Sequence, residues 1–148
     1  MNILITGASR GIGSSLKLLC EQSGNKVIDF SRSTKVDITK ETQVIKAISK
    51  ISVPLDVIVL NAGICNKAHA LKSSSELLEH FIVNVLGNYT VLKYAITGKL
   101  CTSATQVIFI LSNDLNNPPK WEDIWHIKYL KELLKSLGNI LKSTILLK

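Results

Sequence analysis

Apolar positions along the chain fall into short continuous runs, and these alternate with stretches of helical period. Residues 2–6 contain Ile3-Leu4-Ile5 and predict a short buried strand. A glycine turn follows, then a helix from Ile12 to Ser23 with Gly24 as its C-cap. Lys26–Phe30 predicts a second strand and Val36–Ile38 a very short third. Thr39 is suited to cap a helix reaching Ile51, in which Val44, Ile45 and Ile48 form the apolar stripe. Leu55–Leu60 is apolar nearly throughout, as expected of a strand buried on both faces of a parallel sheet. Ser75–Thr97 predicts a long helix and Gln106–Leu111 a further strand. Asn116–Pro119 reads as a loop. Trp121–Leu137 is helical, with Ile124, Ile127, Leu130, Leu134 and Leu137 near one face, and Thr144–Leu147 is a last strand. This alternation implies an α/β fold of three layers, a doubly wound parallel sheet of order 3-2-1-4-5-6. No repeat, linker or low-complexity segment interrupts it.

Composition narrows the picture. A chain of 148 residues can build one real core, so residues 1–148 are read as a single domain. At 46% hydrophobic it is globular. No apolar run reaches the roughly 18 residues of a membrane span. The N-terminus carries no basic leader region, and the three cysteines (Cys20, Cys65, Cys101) are widely spaced without metal-ligand spacing. A reduced, cytoplasmic setting without a metal, a membrane or nucleic acid is expected. The net charge of +7 is spread as lysine and favours acidic or phosphorylated ligands. Only Arg10 and Arg32 are arginine.

Thr6-Gly7-Ala8-Ser9-Arg10-Gly11-Ile12-Gly13 lies between the first strand and the first helix. Gly7 permits a tight turn, Gly11 lets backbone approach a pyrophosphate, and Gly13 lets helix pack on strand. Ser9 and Ile12 belong to the same turn, where a helix N-terminus offers N–H groups to phosphate. Arg32 follows the second strand, where an arginine suits a ribose 2′-phosphate and an acid would suit a free hydroxyl. Asp29 lies within the strand and is not read as that acid.

TGxxxGxG at this position resembles the cofactor signature of the short-chain dehydrogenases/reductases. Four further stretches resemble the family in order. Asp37-Ile38 is similar to its adenine-contacting pair. Asn61-Ala62-Gly63 is similar to its NNAG, with Leu60 replacing the first Asn. Asn84-Val85-Leu86-Gly87 is similar to its N-x-x-G, and Val107–Ser112 to the strand ending in its catalytic Ser. The resemblance covers nearly the whole chain. It implies a Rossmann-type domain binding NADP(H), with Arg10 and Arg32 selecting the phosphorylated cofactor. It also implies an oxidoreductase for a small carbonyl or alcohol substrate, with Asn84 and Ser112 among the catalytic residues.

The family's Tyr-x-x-x-Lys has no counterpart after Ser112. Thirteen residues on stands Trp125, and four further Tyr129, which has Leu133 in the lysine place. Aligning Lys128 with the lysine puts Ile124 at the tyrosine. Tyr129 is the remaining proton-donor candidate, with His126 a weaker one. Tyr89 and Lys93 share the spacing, but they precede Ser112 and form an ordinary helical i, i+4 pair. Relative to the family the chain reads as truncated after the sixth strand, without the substrate-covering segment. Two readings stand: an NADP(H)-dependent oxidoreductase with a degenerate active site, and a non-catalytic NADP(H)-binding sensor or interaction protein. Self-association into a homo-oligomer, or completion by a partner chain, stays open.

Overall fold

In the computed structural model, which describes residues 1–64, 73–111 and 144–147, all five strands run parallel in one sheet. The elements are β1 (Asn2–Thr6), α1 (Gly11–Gln22), β2 (Lys26–Phe30), α2 (Glu41–Ile48), β3 (Leu55–Leu60), α3 (Ser74–Phe81), α4 (Asn88–Thr97), β4 (Cys101–Leu111) and β5 (Thr144–Leu147). The strand order is β2-β1-β3-β4-β5. A 3-10 turn over Arg32–Thr34 follows β2, and a π-helical segment, Ile82–Gly87, joins α3 to α4 without a break.

Alternation within the strands divides the core between two faces. Ile3, Ile5 and Val59 face Leu16 and Cys20 of α1. Leu4, Ile58, Leu60, Val107 and Phe109 face Val44 and Ile48 of α2, and Val91, Leu92 and Ala95 of α4. Each side chain so buried stabilises the fold by about 1.5–3 kcal/mol. The result is three layers with helices on both sides of a parallel sheet. Helix α1 ends at Gln22 with Ser23 as its cap, one residue before the expected Gly24, which follows at φ +76° with its N–H on the Glu21 carbonyl while Asn25 N–H bonds that of Cys20.

The expected third strand does not form. Val36–Ile38 adopts turn and irregular backbone instead, and β2 is the last strand on its side of the sheet. The local polar groups are consumed within the connection. Val36 N–H bonds the Ser31 carbonyl at 2.9 Å, and Asp37 N–H bonds Gln43 Oε1 at 2.8 Å. The Asp37 carboxylate takes both the N–H and the hydroxyl of Thr39, at 2.9 and 2.7 Å. A residue that satisfies its neighbours in this way offers nothing to a ladder. The same contacts remove Thr39 from the capping role: α2 starts one residue later than that, behind Lys40, and stops at Ile48. The sheet otherwise has the expected order with that strand deleted. The loop at 116–119 and the helix expected over Trp121–Leu137 lie outside the described residues.

Candidate functional site

The carboxyl end of β1 runs into a turn built by close approach. Gly7 has φ +70°, and its N–H bonds the Phe30 carbonyl at 2.9 Å, tying the turn to the end of β2. A Cβ at Gly7 would stand 2.8 Å from Ala62 Cα. A Cβ at Gly13 would run into the Gly7 carbonyl oxygen and lie 2.5 Å from Asn61 Nδ2. Gly13 therefore seats α1 directly on the turn and does not itself line the cleft beside it. At Gly11 an added Cβ would meet nothing within 4 Å, so this backbone faces open space. Helix α1 begins without a side-chain cap and without an acidic residue in its first turn. Its orphan N–H groups and positive dipole end are left for an anion.

Beside this turn is a cleft of about 710 Å³, the size of a cofactor site. It opens at the carboxyl ends of β1, β2 and β3, where doubly wound sheets hold ligands. Gly7, Ser9, Arg10, Gly11, Ile12, Arg32, Asp37, Ile38, Asn61, Ala62 and Gly63 all line it. Phe30, Ser31, Val36, Thr39 and Ile64 complete that wall, and Ser75, Leu78, Glu79, Ile82 and Val83 face it from α3 and the π segment. None of these ten was read from sequence as part of the site.

Arg10 and Arg32 are the cations that line the cleft, beside the carboxylates of Asp37 and Glu79. Arg10 and Arg32 are exposed, and among the described residues neither pairs with a carboxylate. Asp29 points to the α1 side of the sheet, 7% exposed, where its Oδ2 pairs with Lys17 Nζ at 3.2 Å. Its Oδ1 is buried with no partner among the described residues. The one acid of β2 is thus neutralised away from the cleft. A nicotinamide dinucleotide fits this donor set: open backbone at Gly11, an uncapped helix start, and two guanidinium groups without a carboxylate partner among the described residues.

Asn84 does not line the cleft but fixes its wall. Its Oδ1 accepts the Ile64 N–H at 2.8 Å, and its Nδ2 donates to the Ile64 carbonyl at 3.0 Å. Gly87 in the same stretch is explained by Ile38, whose side chain would lie 2.8 Å from an added Cβ. Two residues that sequence reasoning passed over, Thr6 as a side chain and Asn88, are buried partners at 2.8 Å. Lys93 does not serve Tyr89. Its Nζ reaches Glu41 at 3.3 Å and the Tyr94 hydroxyl at 3.4 Å, and Tyr94 donates to Glu41 at 2.6 Å. This exposed triad ties α2 to α4. It holds the Glu41 carboxyl below its ordinary value, through the Tyr94 bond first and Lys93 second. Ser112 and Tyr129, with Trp125, His126 and Lys128, lie outside the described residues. No described helix is long and apolar enough to cross a membrane.

The comparisons with known proteins agree with this geometry. The family model for the NAD dependent epimerase/dehydratase family matches residues 3–116. No curated protein matches the chain in sequence. Among solved structures, a short-chain dehydrogenase from Streptomyces avermitilis is similar at TM-score 0.77 and 19% identity, over 99% of this chain and 64% of that one. Serine dehydrogenase from Escherichia coli is similar at TM-score 0.73 and 14% identity, over 99% and 81%. ElxO with NADP bound is similar at TM-score 0.75 and 27% identity, over 91% and 64%. The chain thus spans just under two thirds of the first and third of these. With residues 3–116 matched by the family model, the chain belongs to the NAD dependent epimerase/dehydratase family, and its fold is that of the short-chain dehydrogenases it is similar to.

Proposed function

We propose that residues 1–148 act as one dinucleotide-binding domain that prefers NADP(H) to NAD(H) and reduces carbonyl substrates weakly or not at all. The observation that carries the cofactor preference is the pair of exposed arginines lining the cleft, neither paired with a carboxylate among the described residues, with Asp29 drawn off by Lys17. Bidentate guanidinium contacts to a 2′-phosphate are charge-assisted hydrogen bonds worth about 1–3 kcal/mol. The NADP held by ElxO supports the same choice.

Under this reading the bound nicotinamide supplies hydride. The chain's own residues do the rest. The start of α1 and the Gly11 backbone receive the pyrophosphate. Arg10 and Arg32 bind the 2′-phosphate. Asp37 and Ile38 border the adenine, and Asn61, Ala62 and Gly63 border the ribose side of the cleft. Asn84 holds Ile64 in the wall next to the reacting end. Ser112 orients a carbonyl, and Tyr129 is the candidate acid. No tyrosine after Ser112 has a lysine four residues on, so no ammonium is placed in sequence to lower a donor's pKa. Positioned acid–base catalysis contributes about 10²–10⁴-fold, and its loss accounts for weak turnover. The second reading, a non-catalytic NADP(H)-binding sensor or interaction protein, is favoured by Asn84, whose side-chain amide is committed at both ends to Ile64.

The test is a titration with NADPH and NADH, followed by NADPH consumption over a panel of aldehydes and ketones. The parent should bind NADPH more tightly, and Arg32→Asp should cancel or reverse the preference by about tenfold to a hundredfold. Equal affinities in the parent would refute the cofactor assignment. Robust turnover abolished by Tyr129→Phe would remove the sensor reading, and robust turnover indifferent to Ser112→Ala and Tyr129→Phe would show the catalytic site to be elsewhere.

A further inference from the structure

Residues 61–64 leave β3 without regular secondary structure, yet side chains from other elements hold their backbone group by group. Thr6 Oγ1 accepts the N–H groups of Asn61 and Ala62, each at 2.9 Å. A hydroxyl has two acceptor sites and one proton, so with both sites filled its proton must go outward. It goes to Asn88 Oδ1, at 2.8 Å. Asn88 Nδ2 in turn donates to the Ala62 carbonyl at 2.8 Å and to the Asn84 carbonyl at 3.1 Å. Asn84 closes the far end of the segment on Ile64. Asn88 is 4% exposed. Its backbone N–H bonds the Val85 carbonyl, while its side chain reaches the Asn84 carbonyl. π-helical turns recur at functional sites.

We propose that Asn88 is a positioning residue for the cofactor cleft. It locks the Ala62–Ile64 wall to the π turn and so links the glycine turn at one end of the cleft to Asn84 at the other. The assignment rests on the dinucleotide reading above. Filling the core alone would not need an asparagine: an apolar side chain of the same shape fills the space but strands two carbonyls and the Thr6 hydroxyl in the interior. The adenosine half of the cleft has further anchors that do not involve Asn88, the Gly7 N–H on Phe30 and Gly13 against the turn. Loss of Asn88 should therefore be felt most by a ligand that reaches past Gly63.

The experiment compares two ligands, NADPH and adenosine 2′,5′-bisphosphate, on the parent and on Asn88→Asp and Asn88→Ala, at a temperature where each is folded by circular dichroism. Asn88→Asp is isosteric and keeps the acceptor for Thr6, but turns a carboxylate onto two carbonyls. It should weaken NADPH about tenfold or more and the bisphosphate less than about threefold. Lowering the pH until the introduced carboxyl is protonated restores one donor and should recover part of the NADPH affinity. Equal weakening of both ligands, or none in a folded variant, overturns the assignment. A parent that binds neither ligand overturns the dinucleotide reading and this assignment with it. A parent that binds NADPH beside variants that bind it equally well overturns this assignment alone. Should both variants fail to fold, hydrogen exchange in the parent decides. NADPH should slow the Ala62 and Ile64 amides more than the bisphosphate does, and equal protection is the refuting result.

Discussion

Gly13→Ala adds a single methyl group at the point where α1 rests on the glycine turn. That methyl would overlap the Gly7 carbonyl oxygen and stand 2.5 Å from Asn61 Nδ2 and 3.0 Å from the Gly7 carbonyl carbon. Non-bonded carbon contacts are comfortable from about 3.5 Å, so helix and turn must separate by roughly 1 Å. Neither neighbour is the free end of a flexible side chain: one is backbone, and the other is an amide bonded to the Thr6 and Gly7 carbonyls at 3.0 and 3.2 Å. Overpacking of this kind costs about 1–3 kcal/mol. Displacing the Asn61 amide leaves buried polar groups unpaired, at about 1–3 kcal/mol more. Alanine returns about 1 kcal/mol through helix propensity. The net loss is about 1–5 kcal/mol, a large part of the stability of a domain this size. Urea unfolding followed by circular dichroism should show a lower midpoint at unchanged slope. Gly11→Ala is the comparison. Its methyl meets nothing, so only the φ of +57° costs, about 1–2 kcal/mol, and its larger effect should fall on NADPH affinity. A Gly13→Ala midpoint equal to or above the parent's would refute the close-approach reasoning.

Lys17→Met leaves the Asp29 carboxylate buried beside no cation and should lower the urea midpoint by the equivalent of about 1–3 kcal/mol, toward the lower end because Lys17 is 33% exposed. Asp29→Asn in the Lys17→Met background should recover part of the loss, and no recovery would mean that the pair is not what Asp29 needs. Glu41 is held below its ordinary value of 4.5 by the Tyr94 bond, then by Lys93, while Lys93 is held above 10.5 by its bond to Tyr94 and then by Glu41. The Glu41 contribution is complete above 4.5 and is lost as pH falls through its lowered folded value. The Lys93 contribution is complete below 10.5 and is lost as pH rises through its raised folded value. The thermal-midpoint difference between the parent and Glu41→Gln should therefore be flat from about pH 5 to 10 and shrink at both ends; a maximum near pH 4 would contradict the assignment. Burial raises the Cys101 thiol, and at pH 8 it should react with iodoacetamide more slowly than free cysteine.

The parts of this fold that were legible in sequence are those that repeat at short range. Leu55–Leu60 and Lys26–Phe30 were readable to the residue because an apolar run between turn signals admits little but a buried strand. The glycine turn was readable because Gly7 and Gly13 each answer a close approach of neighbouring backbone and Gly11 answers a positive φ. The misread stretch, Val36–Ile38, has strand-forming residues but also Asp37, whose carboxylate two residues ahead of Thr39 makes a turn of its own. Propensity there lost to a local hydrogen bond. The wall of the cleft failed to show for a different reason. Thr6 and Asn88 are 82 positions apart, and neither carries a periodicity or a local motif that announces the other. What joins them is arithmetic of donors and acceptors: two N–H groups fill the Thr6 oxygen, one proton is left, and one buried amide oxygen is there to take it. Such a demand becomes visible only when β1 and the π turn have been brought together. A binding turn can therefore be read from the chain, whereas the residues that hold the opposite wall in register with it emerge from the packing.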